Sequence, residues 1–138
     1  MKPVAFQDLE TLARTIWGEA RGEPQAGKVA VAHVILNRRR SGRWYGGATI
    51  EEVCRRPYQF SCWNENDPNL SKMQSVDLND GPLRLCVLVA LEAIAGTTSD
   101  PTKGATHYHA SDMLPPPWAA TGTLVAEIGR HLFYRDVA

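Results

Sequence analysis

The chain has 138 residues, of which 43% are hydrophobic, enough for one domain with its own core and too few for two. Fifteen Lys and Arg balance fifteen Asp and Glu, so no net field draws the protein onto nucleic acid. No apolar stretch is long enough for membrane insertion, and the expectation is a monomer with neither partner.

The first helix is expected to begin near Gln7 or Asp8 and to end at about Gly18 to Ala20, because Leu9, Leu12, Ala13, Ile16 and Trp17 recur at helical spacing. Glu19 is left at its end beside Trp17, on the edge of a core, where partial loss of water favours the protonated form that a general acid needs. A solvated surface charge is the plainer reading of such a Glu. Glu23-Pro24 opens a second helix, with Glu23 helping to cap it, and Arg38-Arg39-Arg40 closes it with positive charge at the negative end. Thr49 and Glu52 have the spacing of a capping box for a short helix to about Arg55.

Residues 58–69 carry aromatics, amides and Ser without helical or strand period, a make-up suited to sugar recognition and equally to a loop that plugs a core. Asp80-Gly81-Pro82 starts a helix that Gly96 stops; Leu83, Leu85, Val87, Leu88, Leu91 and Ile94 make it apolar on nearly all sides, so it reads as the central core helix. Residues 105–110 read as a strand placing His107 and His109 on one face, with a final strand over 128–134 pairing with it.

Three cysteines are too few for a disulfide scaffold and lack C-x-x-C spacing; Cys86 reads as core, while Cys54 and Cys62 can pair in an oxidising space. His107-x-His109 is the sole hint of a metal site, without a third ligand at suitable spacing, so no metal or cofactor is expected. The first eight residues contain no run of signal-peptide length, which implies a chain made in the cytoplasm.

Residues 12–23, LARTIWGEARGE, and 27–38, GKVAVAHVILNR, resemble the SleB-type cell-wall hydrolases, the family of spore-cortex-lytic enzymes. Residues 59–63 (QFSCW), 104–110 (GATHYHA) with Pro117-Trp118, and 128–135 (IGRHLFYR) are similar to its later blocks, in order. The resemblance implies a single lysozyme-like domain over residues 1–138, α+β and mainly helical, with a small strand region in the C-terminal third. It implies cleavage of the β-1,4 bond between N-acetylmuramic acid and N-acetylglucosamine in the glycan strands of peptidoglycan. Glu19 falls on the family's catalytic Glu. As a lytic transglycosylase it would act alone, protonating the leaving oxygen and then deprotonating the muramoyl 6-hydroxyl to close a 1,6-anhydro ring. A hydrolysing muramidase would want a second carboxylate about 5 to 9 Å away, for which Glu23 is the near candidate.

Without an export signal or wall-binding repeat, the chain resembles a phage endolysin that reaches the periplasm after holin-type release. The substrate cleft opposite Glu19 is expected to comprise Gln59, Phe60, Ser61, Trp63, Tyr108, His109 and Trp118. Tyr108 is expected to bring its hydroxyl close to Glu19 and orient the acetamido group of the sugar. The rival classes are a non-catalytic glycan-binding module stacking sugars on Trp44, Trp63 and Trp118, and a zinc amidase built on the histidines.

Overall fold

A computed structural model describes residues 2–138. Five helices precede a small sheet: α1 (Phe6–Ala20), α2 (Gln25–Arg40), α3 (Ile50–Arg55), α4 (Leu70–Ser75) and α5 (Gly81–Ala95), then β1 (His107–Ala110), β2 (Thr123–Ile128) and β3 (His131–Arg135). Two 3-10 turns, Ser61–Trp63 and Pro117–Ala120, lie between them. The sheet is antiparallel in the order β1-β3-β2, with Tyr108 opposite Phe133 and a bulge between Leu124 and Ala126.

The helix α1 starts at Phe6, where Asp8 turns back to accept the Ala5 amide at 2.8 Å. Its other oxygen accepts the Glu51 amide at 3.0 Å, so one buried carboxylate serves the first turns of both α1 and α3. Thr49 caps α3 by accepting the Glu52 amide, as its spacing predicts, while Glu52 reaches one residue further back to the Ala48 amide.

The enclosed helix is α2, whose residues 30–36 are all buried. This corrects the expectation for α5, which buries Leu83, Cys86, Val89, Ala90 and Ala93 but leaves Leu88 and Leu91 about half exposed. Its ends are as read: Asp80 accepts the Leu83 amide at 2.9 Å, and Gly96 closes the helix at φ +76°, a conformation that costs glycine nothing.

One apolar cluster joins α1, α2, α3, α4 and α5; a smaller one joins Ala30 and Val34 of α2 to Ala105 and Phe133, fixing the sheet against α2. Tyr108 packs against both, which places β1 at the seam between the helices and the sheet. The expected strand over 128–134 is in fact the end of β2, a turn at Gly129-Arg130, and β3. Cys54, Cys62 and Cys86 are three separate buried thiols, so the pairing of Cys54 with Cys62 is not formed.

Candidate active site

Glu19 is the penultimate residue of α1 and is partly buried. Its expected companion Trp17 points elsewhere: residues two apart on a helix are roughly 200° apart around its axis, and the Trp17 indole donates to Asp80 at 2.9 Å beneath the Arg21 guanidinium. The neighbours of Glu19 come instead from later in the chain. The Tyr108 hydroxyl donates to Glu19 Oε1 at 2.6 Å, a short bond of the kind made to a charged acceptor. Burial and the Glu19 carboxylate push the Tyr108 phenol well above its usual value, so it remains a proton donor across the physiological range. Its proton is thus given to Glu19, and its oxygen is left to accept.

On the other side lies the turn Ser61–Trp63. A Cβ on Gly18 would stand 2.7 Å from Cys62 Cβ and 3.0 Å from the Met73 sulfur, so only glycine lets this turn approach the end of α1. Burial, then the Glu19 charge, pushes the Cys62 thiol up.

A groove of about 360 Å³ opens at Glu19, lined by Ala20, Gly22, Glu23, Ala110, Asp112, Arg130 and His131. Glu23 does not cap α2, whose N-cap is Pro24, without a side-chain hydrogen bond. Its Oε1 accepts the Arg130 amide at 2.9 Å and lies 3.1 Å from His131 Nδ1, close enough for an ion pair when the ring is protonated but not aligned for a hydrogen bond. Glu23 therefore ties the β2–β3 turn to the α1–α2 elbow. Neither Asp112 nor Arg130 was singled out in the sequence; both come to the groove through turns that begin or end the strands.

The remaining expected site residues divide. Gln59 accepts from Arg38 at 3.1 Å, and the Arg38 guanidinium, itself buried, also donates to the Thr106 carbonyl at 2.6 Å and lies 4.9 Å from the Phe60 ring centre. Phe60 is 2% exposed and belongs to the core, so it supports the loop without facing a cleft. His109 is also buried: its Nδ1 is 2.8 Å from the Ala110 carbonyl, which requires a proton there, so its Nε2 accepts from the Tyr134 hydroxyl at 2.9 Å. Trp118 is wedged among His107, His109 and Tyr134, with ring centres 5.0 to 5.8 Å apart, and stiffens β1 from behind. Trp63 donates to the Thr15 hydroxyl at 2.9 Å and carries Arg55 over its ring. Ser61 is exposed at the start of its turn.

Residues 22–134 match the model of a family described as Cell Wall Hydrolase. The chain belongs to this family. The match begins three residues after Glu19, but the likeness to individual members is longer. The spore cortex-lytic enzymes of Halalkalibacterium halodurans and Bacillus subtilis are each 32% identical, over 126 and 130 residues and 91% of this chain. The chain spans about a third of the length of these curated relatives, 34% and 37%. Among solved structures, the catalytic domain of the Bacillus cereus SleB protein matches with a TM-score of 0.76 at 29% identity, covering 98% of this chain and 94% of that one. The catalytic domain of the germination-specific lytic transglycosylase SleB from Bacillus anthracis matches with a TM-score of 0.74 at 30% identity, covering 98% and 99%. The α+β fold is that of these catalytic domains.

Proposed function

We propose that this protein cleaves the β-1,4 bond between N-acetylmuramic acid and N-acetylglucosamine in peptidoglycan, with Glu19 as the one acid and base of a lytic transglycosylase reaction. The observation that carries the reading is the 2.6 Å bond from Tyr108 to Glu19 at the head of an open groove, in a chain of the cell-wall hydrolase family.

With Tyr108 holding one carboxylate oxygen, the other is left to protonate the glycosidic oxygen as the bond to the anomeric carbon breaks. The carboxylate so formed keeps its bond from the phenol and then takes the proton of the muramoyl 6-hydroxyl, whose oxygen closes on the anomeric carbon. Glu19 ends with the proton it first gave replaced by that of the 6-hydroxyl, ready for the next bond, and no water is consumed.

A second reading, hydrolysis, is favoured by the Glu23 and Asp112 carboxylates that line the same groove. Glu23 is engaged by Arg130 and His131, which leaves the exposed Asp112 as the freer group to activate water. Digestion of purified peptidoglycan in water enriched in heavy oxygen, followed by mass spectrometry of the muropeptides, separates the two. Transglycosylation gives ends one water lighter without label, whereas hydrolysis gives labelled reducing ends; labelled ends alone would overturn the single-Glu mechanism.

A further inference from the structure

At the Ser61–Trp63 turn lies a second and larger cleft of about 510 Å³, walled by Tyr58, Trp63, Asn64 and Asn66 with Arg55 and Glu65. Tyr58 stands out in it. It is 86% exposed, and its backbone sits at φ +65°, in the left-handed region that a bulky side chain occupies only at a cost. The residues around it explain how that conformation is held. The Gln59 amide donates to the Arg56 carbonyl at 3.2 Å, the Arg56 guanidinium grips the Gly46 carbonyl, and Phe60 is sunk in the core. The loop is pinned on both sides of a residue that contributes nothing to the core, where glycine would sit without strain.

We infer that this cleft is an outlying subsite for an N-acetylated sugar of the glycan strand, with the Tyr58 ring as its stacking platform. The inference rests on the reading of the protein as a glycan-cleaving enzyme. The Ser61–Trp63 turn stands between Glu19 and this cleft, Cys62 packing on Gly18 and Trp63 lining the cleft, so a glycan strand that extends from Glu19 across the turn reaches it. Arg55 covers the Trp63 ring at 4.8 Å, which leaves Tyr58 as the aromatic face open to a sugar. Asn64 and Asn66 supply amide donors and acceptors of the kind that hydroxyl and acetamido groups require. The strain at Tyr58 is then kept because it holds the ring out over the strand.

The test uses E19Q, which retains the groove without turnover, and measures its binding to purified glycan oligomers of increasing length together with its melting temperature. Added to E19Q, Tyr58→Ala and Tyr58→Gly are expected to weaken binding of the longer oligomers about 3- to 10-fold. Binding of oligomers too short to span both clefts should not change, and Tyr58→Phe should restore the parent affinity. Tyr58→Gly should melt at or above the parent temperature, since it relaxes the backbone, which a merely structural tyrosine would not allow. Unchanged affinity for long oligomers in Tyr58→Gly, or a clear drop in its melting temperature, overturns the subsite. If E19Q with Tyr58 intact binds no glycan and the wild-type protein releases no muropeptides, the glycosidase reading falls and the subsite with it; release of muropeptides with no effect of Tyr58 removes the subsite alone.

Discussion

Tyr108 and Glu19 are 89 residues apart in the chain and 2.6 Å apart in space. The bond spans the seam between the helices and the sheet, so it reports on both the chemistry at the end of α1 and the docking of β1. Glu19→Gln is expected to keep the fold and to lose about 10²–10⁴-fold in lytic rate, because the amide has the size of the acid but delivers no proton. Tyr108→Phe keeps the ring packing and removes a bond to a charged group, about 1.5–3 kcal/mol, so kcat should fall roughly 10- to 100-fold. Turbidity loss of permeabilised cells measures both, and near wild-type lysis by Glu19→Gln would end the assignment.

The tie between Glu23 and the Arg130 amide makes a different prediction. Glu23→Gln retains an oxygen that accepts that amide and should keep most of the activity. Glu23→Ala removes the acceptor and is expected to lower stability by about 1 kcal/mol, on the order of 3 °C in melting temperature. Loss of activity in Glu23→Gln as deep as in Glu19→Gln would instead mark Glu23 as the second carboxylate of a hydrolase.

At Gly18 two effects oppose each other. Alanine is favoured over glycine in a helix by about 1 kcal/mol, but here its methyl group would meet Cys62 Cβ at 2.7 Å and Cys62 Sγ at 2.9 Å. Overpacking of this kind costs typically about 1–3 kcal/mol, and the clash should win. Gly18→Ala is expected to melt lower and to lose activity by shifting the Ser61–Trp63 turn; a variant that melts higher with full activity would show that the turn yields freely.

Acid should weaken the fold through buried neutral imidazoles. Burial, then the Arg38 charge, brings His107 down to about 4, and burial lowers His33. The unfolded chain binds more protons than the folded one between that value and the ordinary 6.5, so this stability is complete above the window and is lost as pH falls through it. Melting temperatures taken between about pH 7 and pH 4.5 should decline, and His107→Asn should flatten the slope. A slope unchanged by that substitution would place the acid sensitivity elsewhere.

Activity is expected to survive dialysis against a strong chelator. The residues that raised a metal reading are occupied: His107 Nδ1 pairs with the Thr106 hydroxyl at 2.9 Å, and both ring nitrogens of His109 have partners. Loss of lysis on chelation with recovery on added zinc would contradict this.

The ends of the helices were legible because capping residues act locally: Asp80, Thr49 and Gly96 each do what their spacing predicts. Glu19 and Tyr108 were legible as a pair from the ordered blocks that resemble the family. The expected cleft residues that prove buried have a common cause, that residue type does not tell an aromatic wall from an aromatic core. Phe60 and His109 sit in polar stretches yet are buried, because Arg38 and Tyr134 satisfy the groups around them from elsewhere in the chain. The strand β2 was missed because its exposure, broken by the bulge after Leu124, does not alternate. Helix α4 is a short piece inside a stretch of turn formers, held by Arg14, whose guanidinium donates to the Met73 and Val76 carbonyls at 2.8 and 2.7 Å.

The strand order β1-β3-β2 makes the C-terminal strand the middle one. The strand β1 pairs with β3, so residue 108 lacks its strand partner in a chain still being synthesised at residue 120, until residues 131–135 have left the ribosome. Glu19 is made 89 residues ahead of Tyr108 and waits for its phenol until β3 has followed. A chain cut short of β3 therefore carries Glu19 without the phenol that holds it, and the Tyr108–Glu19 bond should appear abruptly, with β3, rather than growing with length.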